Sequence, residues 1–320
     1  MLAIDVLIHR INEKGCPIVV GLDPALERIP EFIRENAVKE YGNTLQAAAE
    51  SLYHFNRLLL EGLHPLIPAV KLQMACYEMF GKWGLDVFQR TAELAGSLNL
   101  TVIDDSKRGD IGSTARFYAQ GHLGSVPLIH GRDEAAKADY LTLNPFLGSD
   151  AILPFVETCR EHNKGLFILV RTSNASASDY QEALINGQPL FIKIAEDIQK
   201  IGQDLTGEFG YSSIGAVVGA TWPRELEQLR SVMPNAFFLV PGYGAQGAGA
   251  EELSAAFDKK GLGAIVNSSR GIIFAYQSPA LREKYADPGL FVEASIEAVR
   301  MMRADLLRSL RQADKLPDNW

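Results

Sequence analysis

Eight short apolar runs recur along the chain, most separated by a stretch long enough for a helix. That alternation restricts the fold more than any other feature. The runs lie at residues 18–22, 66–71, 100–104, 140–143, 165–170, 214–219, 236–240 and 264–267. The fifth reads G-L-F-I-L-V, with no polar position, as expected of a strand buried on both faces. Between the runs, residues 44–63, 87–98, 191–201, 224–232 and 290–310 carry apolar residues at helical spacing. Asn43 and Thr44 are candidate caps for the first of these helices, and Pro223 stands where a helix tolerates proline. Strands alternating with helices imply a parallel sheet, because parallel neighbours need a crossover. Eight such units predict a closed (β/α)8 TIM barrel, an α/β fold, with an open doubly wound sheet as the alternative. The 320 residues suit one barrel and are expected to form a single domain over 1–320. No linker, charge block or low-complexity tract interrupts them, and the closing K-L-P-D-N-W reads as a frayed tail.

Composition removes several function classes. Apolar types make up 47% and charged types 22%, which excludes disorder for most of the chain. No window of about 18 uncharged apolar residues exists to span a membrane. A net charge of −8 and a pI near 5.4 argue against a general nucleic-acid binder. Cys16, Cys76 and Cys159 form no C-x-x-C pair and fit no zinc pattern, so they read as reduced thiols of a cytoplasmic protein. The N-terminus meets an acid at Asp5 and lacks the basic and apolar regions of a signal peptide. The six histidines show no H-x-x-x-H pair and read as structural or exposed.

Polar residues gather where the apolar runs end. The first run ends at Asp23, the second at Lys71 and Gln73, and the third continues as D-D-S-K-R-G-D-I-G-S-T. The fourth reaches Asn144, the fifth Ser173, the seventh P-G-Y-G-A-Q-G and the eighth N-S-S-R-G-I. Each alone is an ordinary solvated turn. Together they place charge at the strand C-termini, the catalytic face of a barrel. Asp105 and Lys107 are two apart, so in an extended chain they point the same way, and Lys71 and Asp23 lie on the next two strands. Lys71, Asp105, Lys107 and Asp110 then alternate in charge. A lysine flanked by carboxylates keeps its proton, which suits a proton donor and not a Schiff-base nucleophile. Two long connections, at 24–43 and 172–213, are candidate functional loops, the second a candidate lid.

The segment from Gly242 to Gly247 matches G-x-G-x-x-G. It follows the seventh run, and Asn267, not an acid, stands 20 residues on. A barrel phosphate site built by the last two loops is the better reading, with Arg270 as a forked charged contact.

The D-S-K-R-G-D-I-G-S-T at 105–114 resembles the D-x-K-x-x-D signature of the orotidine 5′-phosphate decarboxylase family. V-G-L-D-P, K-L-Q-M-A-C-Y-E, L-N-P-F-L-G-S-D, V-R-T-S-N, P-G-Y-G-A-Q-G and N-S-S-R-G-I resemble its longer bacterial form, in order, from Asp23 to Arg270. Leu72 departs from the pattern, where proline is expected. The resemblance implies a carboxy-lyase converting orotidine 5′-monophosphate to UMP and CO₂, the last step of de novo UMP synthesis, with no metal and no organic cofactor. It implies that Lys107 donates the proton to C6, Asp105 sits beside the departing carboxylate, and Lys71 holds the ribose and orders the charges. It assigns ribose hydroxyls to Asp23, the pyrimidine to Ser173, a bridge between base and phosphate to Gln246, and phosphate to Arg270. It implies a homodimer in which Asp110 and Thr114 reach the partner's site. A magnesium-dependent sugar-phosphate decarboxylase or aldolase of the same superfamily shares the D-x-K-x-x-D motif. A nucleotide-binding regulator without catalysis is the alternative of another class, against which the intact lysine–carboxylate set argues.

Overall fold

The computed structural model describes residues 1–244, 250–318 and 320. Eight parallel strands close into a barrel: β1 (Ile18–Leu22), β2 (Ala69–Gln73), β3 (Thr101–Arg108), β4 (Tyr140–Leu143), β5 (Gly165–Arg171), β6 (Ser212–Val218), β7 (Ala236–Pro241) and β8 (Ala264–Ser268). Each pairs with the strands before and after it in the chain, and β8 pairs with β1. The closed barrel, and not the open sheet, is what the eight runs form. The second strand starts at Ala69 instead of residue 66, because Pro68 has no N–H to give a ladder.

Period-two alternation divides the strand residues between two cores. Val20, Val70, Val102, Leu141, Ile168 and Val266 face the surrounding helices. Val19, Ala69, Ile103, Tyr140, Phe167, Phe237 and Ile265 face the barrel interior. The helix α1 (Ala3–Lys14) turns Ile4, Leu7, Ile8 and Ile11 onto that interior cluster and plugs the N-terminal end of the barrel. Gly15, in the left-handed region at φ 53°, ends the helix by donating to Asn12.

The expected helices form as α3 (Leu45–Leu63), α4 (Gly81–Ser97), α7 (Leu190–Ile201), α8 (Pro223–Val232) and α9 (Phe291–Gln312). Thr44 caps α3 by accepting from Ala47 N at 3.2 Å. Three further helices have weaker sequence signals: α2 (Glu31–Tyr41), α5 (Gly112–Leu123) and α6 (Ser149–His162). The first lies inside the connection read as a long loop, and buries only Ile33 and Ala37. Among the described residues, no helix is long and apolar enough to cross a membrane.

Candidate active site

The strand C-termini open into a cavity of about 560 Å³, lined by Asp23, Lys71, Asp105, Lys107, Ser173 and Arg270 among others. Two of them owe their place directly to strand alternation. Lys71 follows Ala69 by two positions on β2, and Asp105 follows Ile103 by two on β3, so both stand one layer above the apolar interior.

Asp105 is the hub. Its Oδ2 accepts from Lys71 Nζ at 2.5 Å and from Gln73 Nε2 at 3.1 Å. Its Oδ1 accepts from Lys107 Nζ at 2.6 Å and from Thr142 Oγ1 at 2.9 Å. Four donors on a buried carboxylate hold both its charge and its orientation. Burial raises the Asp105 pKa, but Lys71 and Lys107 outweigh it and bring it down to about 2. Lys71 is itself buried, which works against its ammonium. Asp23, at 3.6 Å, and Asp105 reverse that and hold its pKa above the ordinary lysine value.

Lys107 reaches this hub by an unexpected route. Extended backbone would carry it alongside Asp105, yet its φ is 48°, in the left-handed region where few non-glycine residues sit. The pairing of β3 with β4 shifts between Asp104 and Arg108, so the strand bulges there. Lys107 N donates to Thr142 Oγ1 at 2.9 Å, so a side chain replaces the lost ladder bond. The bulge presents Lys107 to the cavity with its side chain 44% exposed, against 7% for Asp105. One end of the pair is anchored and the other faces the substrate space.

At the other end of the cavity stand Pro241, Gly242, Tyr243, Asn267, Ser268, Ser269 and Arg270. A Cβ on Gly21 would lie 1.9 Å from Ser269 Oγ, so glycine there lets β1 approach this loop closely. Asn267 Oδ1 and Asp23 Oδ1 are buried acceptors without a hydrogen-bond partner among the described residues. Two unsatisfied acceptors on one cavity wall suit a ligand that brings hydroxyl or N–H donors.

The structure thus gathers Asp23, Lys71, Asp105, Lys107, Ser173 and Arg270 around one space. Asp110 and Thr114 do not line the cavity. Asp110 Oδ1 accepts from Ile111 N at 2.8 Å, and Thr114 is exposed on α5. Asn144 turns away too, its Oδ1 accepting from Phe146 N within its own turn. Gln246 lies outside the described residues. Sequence reasoning missed Thr142, whose only signal is its position two beyond the inward-facing Tyr140. It also missed Gln181, which lines the cavity from the connection after β5.

A profile of the orotidine 5′-phosphate decarboxylase / HUMPS family matches residues 43–285. The orotidine 5′-phosphate decarboxylase of Caldicellulosiruptor bescii is 37% identical over 274 residues, covering 86% of this chain and 90% of its own. That of Clostridium tetani is 37% identical over 309 residues, covering 96% and 98%. The solved structure of Leishmania donovani OMP decarboxylase has a TM-score of 0.69 at 27% identity, covering 95% of this chain and 100% of that one.

Proposed function

Because the chain belongs to the orotidine 5′-phosphate decarboxylase family, we propose that it converts orotidine 5′-monophosphate to UMP and CO₂ with side chains alone, without metal or organic cofactor. The observation that carries this reading is Asp105 clasped between Lys71 and Lys107 beside an open cavity.

The reaction breaks the bond from C6 to the carboxylate and leaves its electron pair on C6. Without a cofactor to absorb that pair, fixed charges must stabilise it. Lys107 is the cation of the Asp105 cluster whose side chain stays partly exposed beside the cavity. It stabilises the carbanion, gives it a proton, and recovers one from water. Asp105 cannot swing aside, since four donors hold it, so its charge opposes the substrate carboxylate until CO₂ leaves. Binding energy from the remote phosphate offsets that repulsion.

The remaining roles follow the lining. Among the described residues of the lining, Lys71, Lys107 and Arg270 face Asp23 and Asp105, three cations against two carboxylates, which leaves one positive charge for an anionic substrate. Asp23 Oδ1 accepts a ribose hydroxyl. Ser173 meets the pyrimidine, Arg270 grips the phosphate, and Gln246 bridges base and phosphate. Asp110 and Thr114, turned away from their own cavity, complete the site of a second copy in a homodimer.

The test is the absorbance decay of orotidine 5′-monophosphate with purified protein, with and without EDTA. EDTA-insensitive decay with UMP as product is expected. Decay abolished by EDTA, or folded protein with no decay, overturns the reading. For the dimer, inactive Asp110→Ala and Lys107→Ala chains are mixed. Regained activity is expected if sites are shared, and none if Asp110 acts within its own chain.

A further inference from the structure

Arg171, the arginine of V-R-T-S-N, has no part in the chemistry above, yet it is fully buried and is the largest such side chain among the described residues. By parity with Phe167 and Leu169 it belongs inside the barrel. The pairing of β5 with β6 shifts by one residue, so that Leu169 faces Val217 but Arg171 faces Val218. Val217 lines the cavity and Val218 packs outward, so the bulge turns Arg171 out of the cavity.

There the guanidinium joins two segments. Its Nε donates to Glu225 Oε2 at 2.9 Å, on α8, and its Nη2 donates to Glu182 Oε1 at 2.5 Å, in the connection after β5. Nη2 also lies 3.3 Å from Glu225 Oε1. The group sits 4.4 Å from the Trp222 ring centroid and 5.3 Å from that of Phe191. Trp222 Nε1 in turn donates to Thr172 O at 3.1 Å. Gln181, next to Glu182, accepts from Thr172 N at 3.0 Å and donates to Thr172 Oγ1 at 2.8 Å.

We propose that Arg171 is a positioning residue that latches residues 172–182 over one end of the cavity, with Glu225 as its fixed anchor and Glu182 as its releasable one. The segment needs such a latch. From Ser173 to Glu182 only Ala177 is buried, so hydrophobic contact holds it weakly. Ser173, Asn174 and Gln181 line the cavity, and all three lie within it. Stability alone gives little reason for a buried ionic knot, since apolar residues of the same volume commonly serve as well. A fork that fixes two carboxylates from different segments sets geometry instead. The two anchors also differ in exposure. The Glu182 side chain is 46% exposed and that of Glu225 25%, so Glu182 is the half that water can replace.

This inference rests on the nucleotide reading, in which Ser173 meets the base while Arg270 meets the phosphate. The variants are Glu182→Gln, at a half-exposed position, and Arg171→Lys, which keeps the charge and loses the fork. Both are expected to weaken UMP binding about 3- to 10-fold, less than the full worth of a charged hydrogen bond because the latch acts on the ligand only through the segment it holds, and to leave ribose 5-phosphate binding unchanged. Both are also expected to speed chymotrypsin cleavage at the exposed Tyr180 and Leu184. A general structural defect weakens both ligands alike and lowers Tm, and that result overturns the latch. So does unchanged cleavage with unchanged UMP affinity. If the wild-type chain neither binds UMP nor turns over orotidine 5′-monophosphate, the nucleotide reading fails by itself. The cleavage rates then decide the latch alone, faster cutting in both variants supporting it and unchanged cutting refuting it.

Discussion

The barrel interior has two layers built by the same strands, and they could hardly differ more. In the lower layer Val19, Ala69, Ile103, Tyr140, Phe167, Phe237 and Ile265 meet one another and the underside of α1. Tyr140 stacks on Phe167 at 4.8 Å, and Tyr211 meets Phe237 edge-on at 5.5 Å. Two residues further along each strand, the upper layer reads Gly21, Lys71, Asp105, Thr142, Leu169, Leu239 and Asn267. Strand geometry is common to both layers; what closes each end is not. A helix seals the lower layer from water, so a charge there would stand unpaired and costly. The upper layer opens to a cavity, and its charges are tolerated because each carboxylate meets an ammonium. The lower layer sets where the strands stand, and the upper layer uses those positions to set charged groups around the cavity.

The sharpest way to separate the layers is Lys107→Ala. Removing the proposed proton donor is expected to cut kcat by about 10³-fold or more. UMP affinity and thermal stability are expected to stay near wild type, because the side chain is partly exposed. Wild-type turnover in this variant removes Lys107 from the mechanism. Phe167→Ala is the counterpart below. Opening a cavity beside Tyr140 is expected to cost about 3–5 kcal/mol of stability, read from urea unfolding. The folded fraction is expected to keep the wild-type KM. A large change in kcat at 20 °C would show that the two layers are not separable.

Much of this division is legible in the sequence. The eight runs and their period-two faces give the barrel, and the polar residues at their ends give the site. The limits are equally physical. The buried stripe of α5 is Ala115, Ala119 and Leu123, mostly small residues that leave a faint periodic signal. Pro154 lies inside α6 and interrupts its helical pattern, although the helix runs on to His162. The bulges at Lys107 and Arg171 depend on which neighbouring strand a residue pairs with, and that is not written in local spacing. Alternation therefore points Lys107 correctly for an incomplete reason, and points Arg171 the wrong way.

Arg270→Ala is expected to have a smaller effect, within the upper layer. A charged contact to phosphate is worth about 1.5–3 kcal/mol, so KM is expected to rise roughly 10- to 100-fold. In the proposed binding mode the phosphate is remote from C6, so kcat is expected to change little. A loss confined to kcat would place Arg270 at the reacting carbon instead.

The smallest expected effect is a slope, and it asks whether the upper layer is stable only because its charges are matched. In the wild-type chain the raised Lys71 pKa contributes stability that is full below the ordinary value of 10.5 and lost as pH rises through the folded value. The lowered Asp105 pKa, about 2, contributes stability present above the ordinary 3.8 and lost as pH falls through 2. Between roughly pH 4 and 10 this pair leaves stability flat. Asp105→Asn leaves Lys71 with only Asp23, at 3.6 Å and without a hydrogen bond, against the full cost of burial. Burial, the largest single influence on Lys71, is then expected to prevail and to bring its pKa below that of an ordinary lysine. The sign reverses: the buried ammonium destabilises the folded chain at neutral pH and is relieved as it deprotonates. The variant's urea midpoint is expected to rise from pH 7 to 10 while that of the wild type does not, each tenfold loss of proton affinity at Lys71 being worth about 1.4 kcal/mol. A flat profile in the variant would mean that Asp23 alone keeps Lys71 charged, and that Asp105 is held in place for the chemistry and not for the fold.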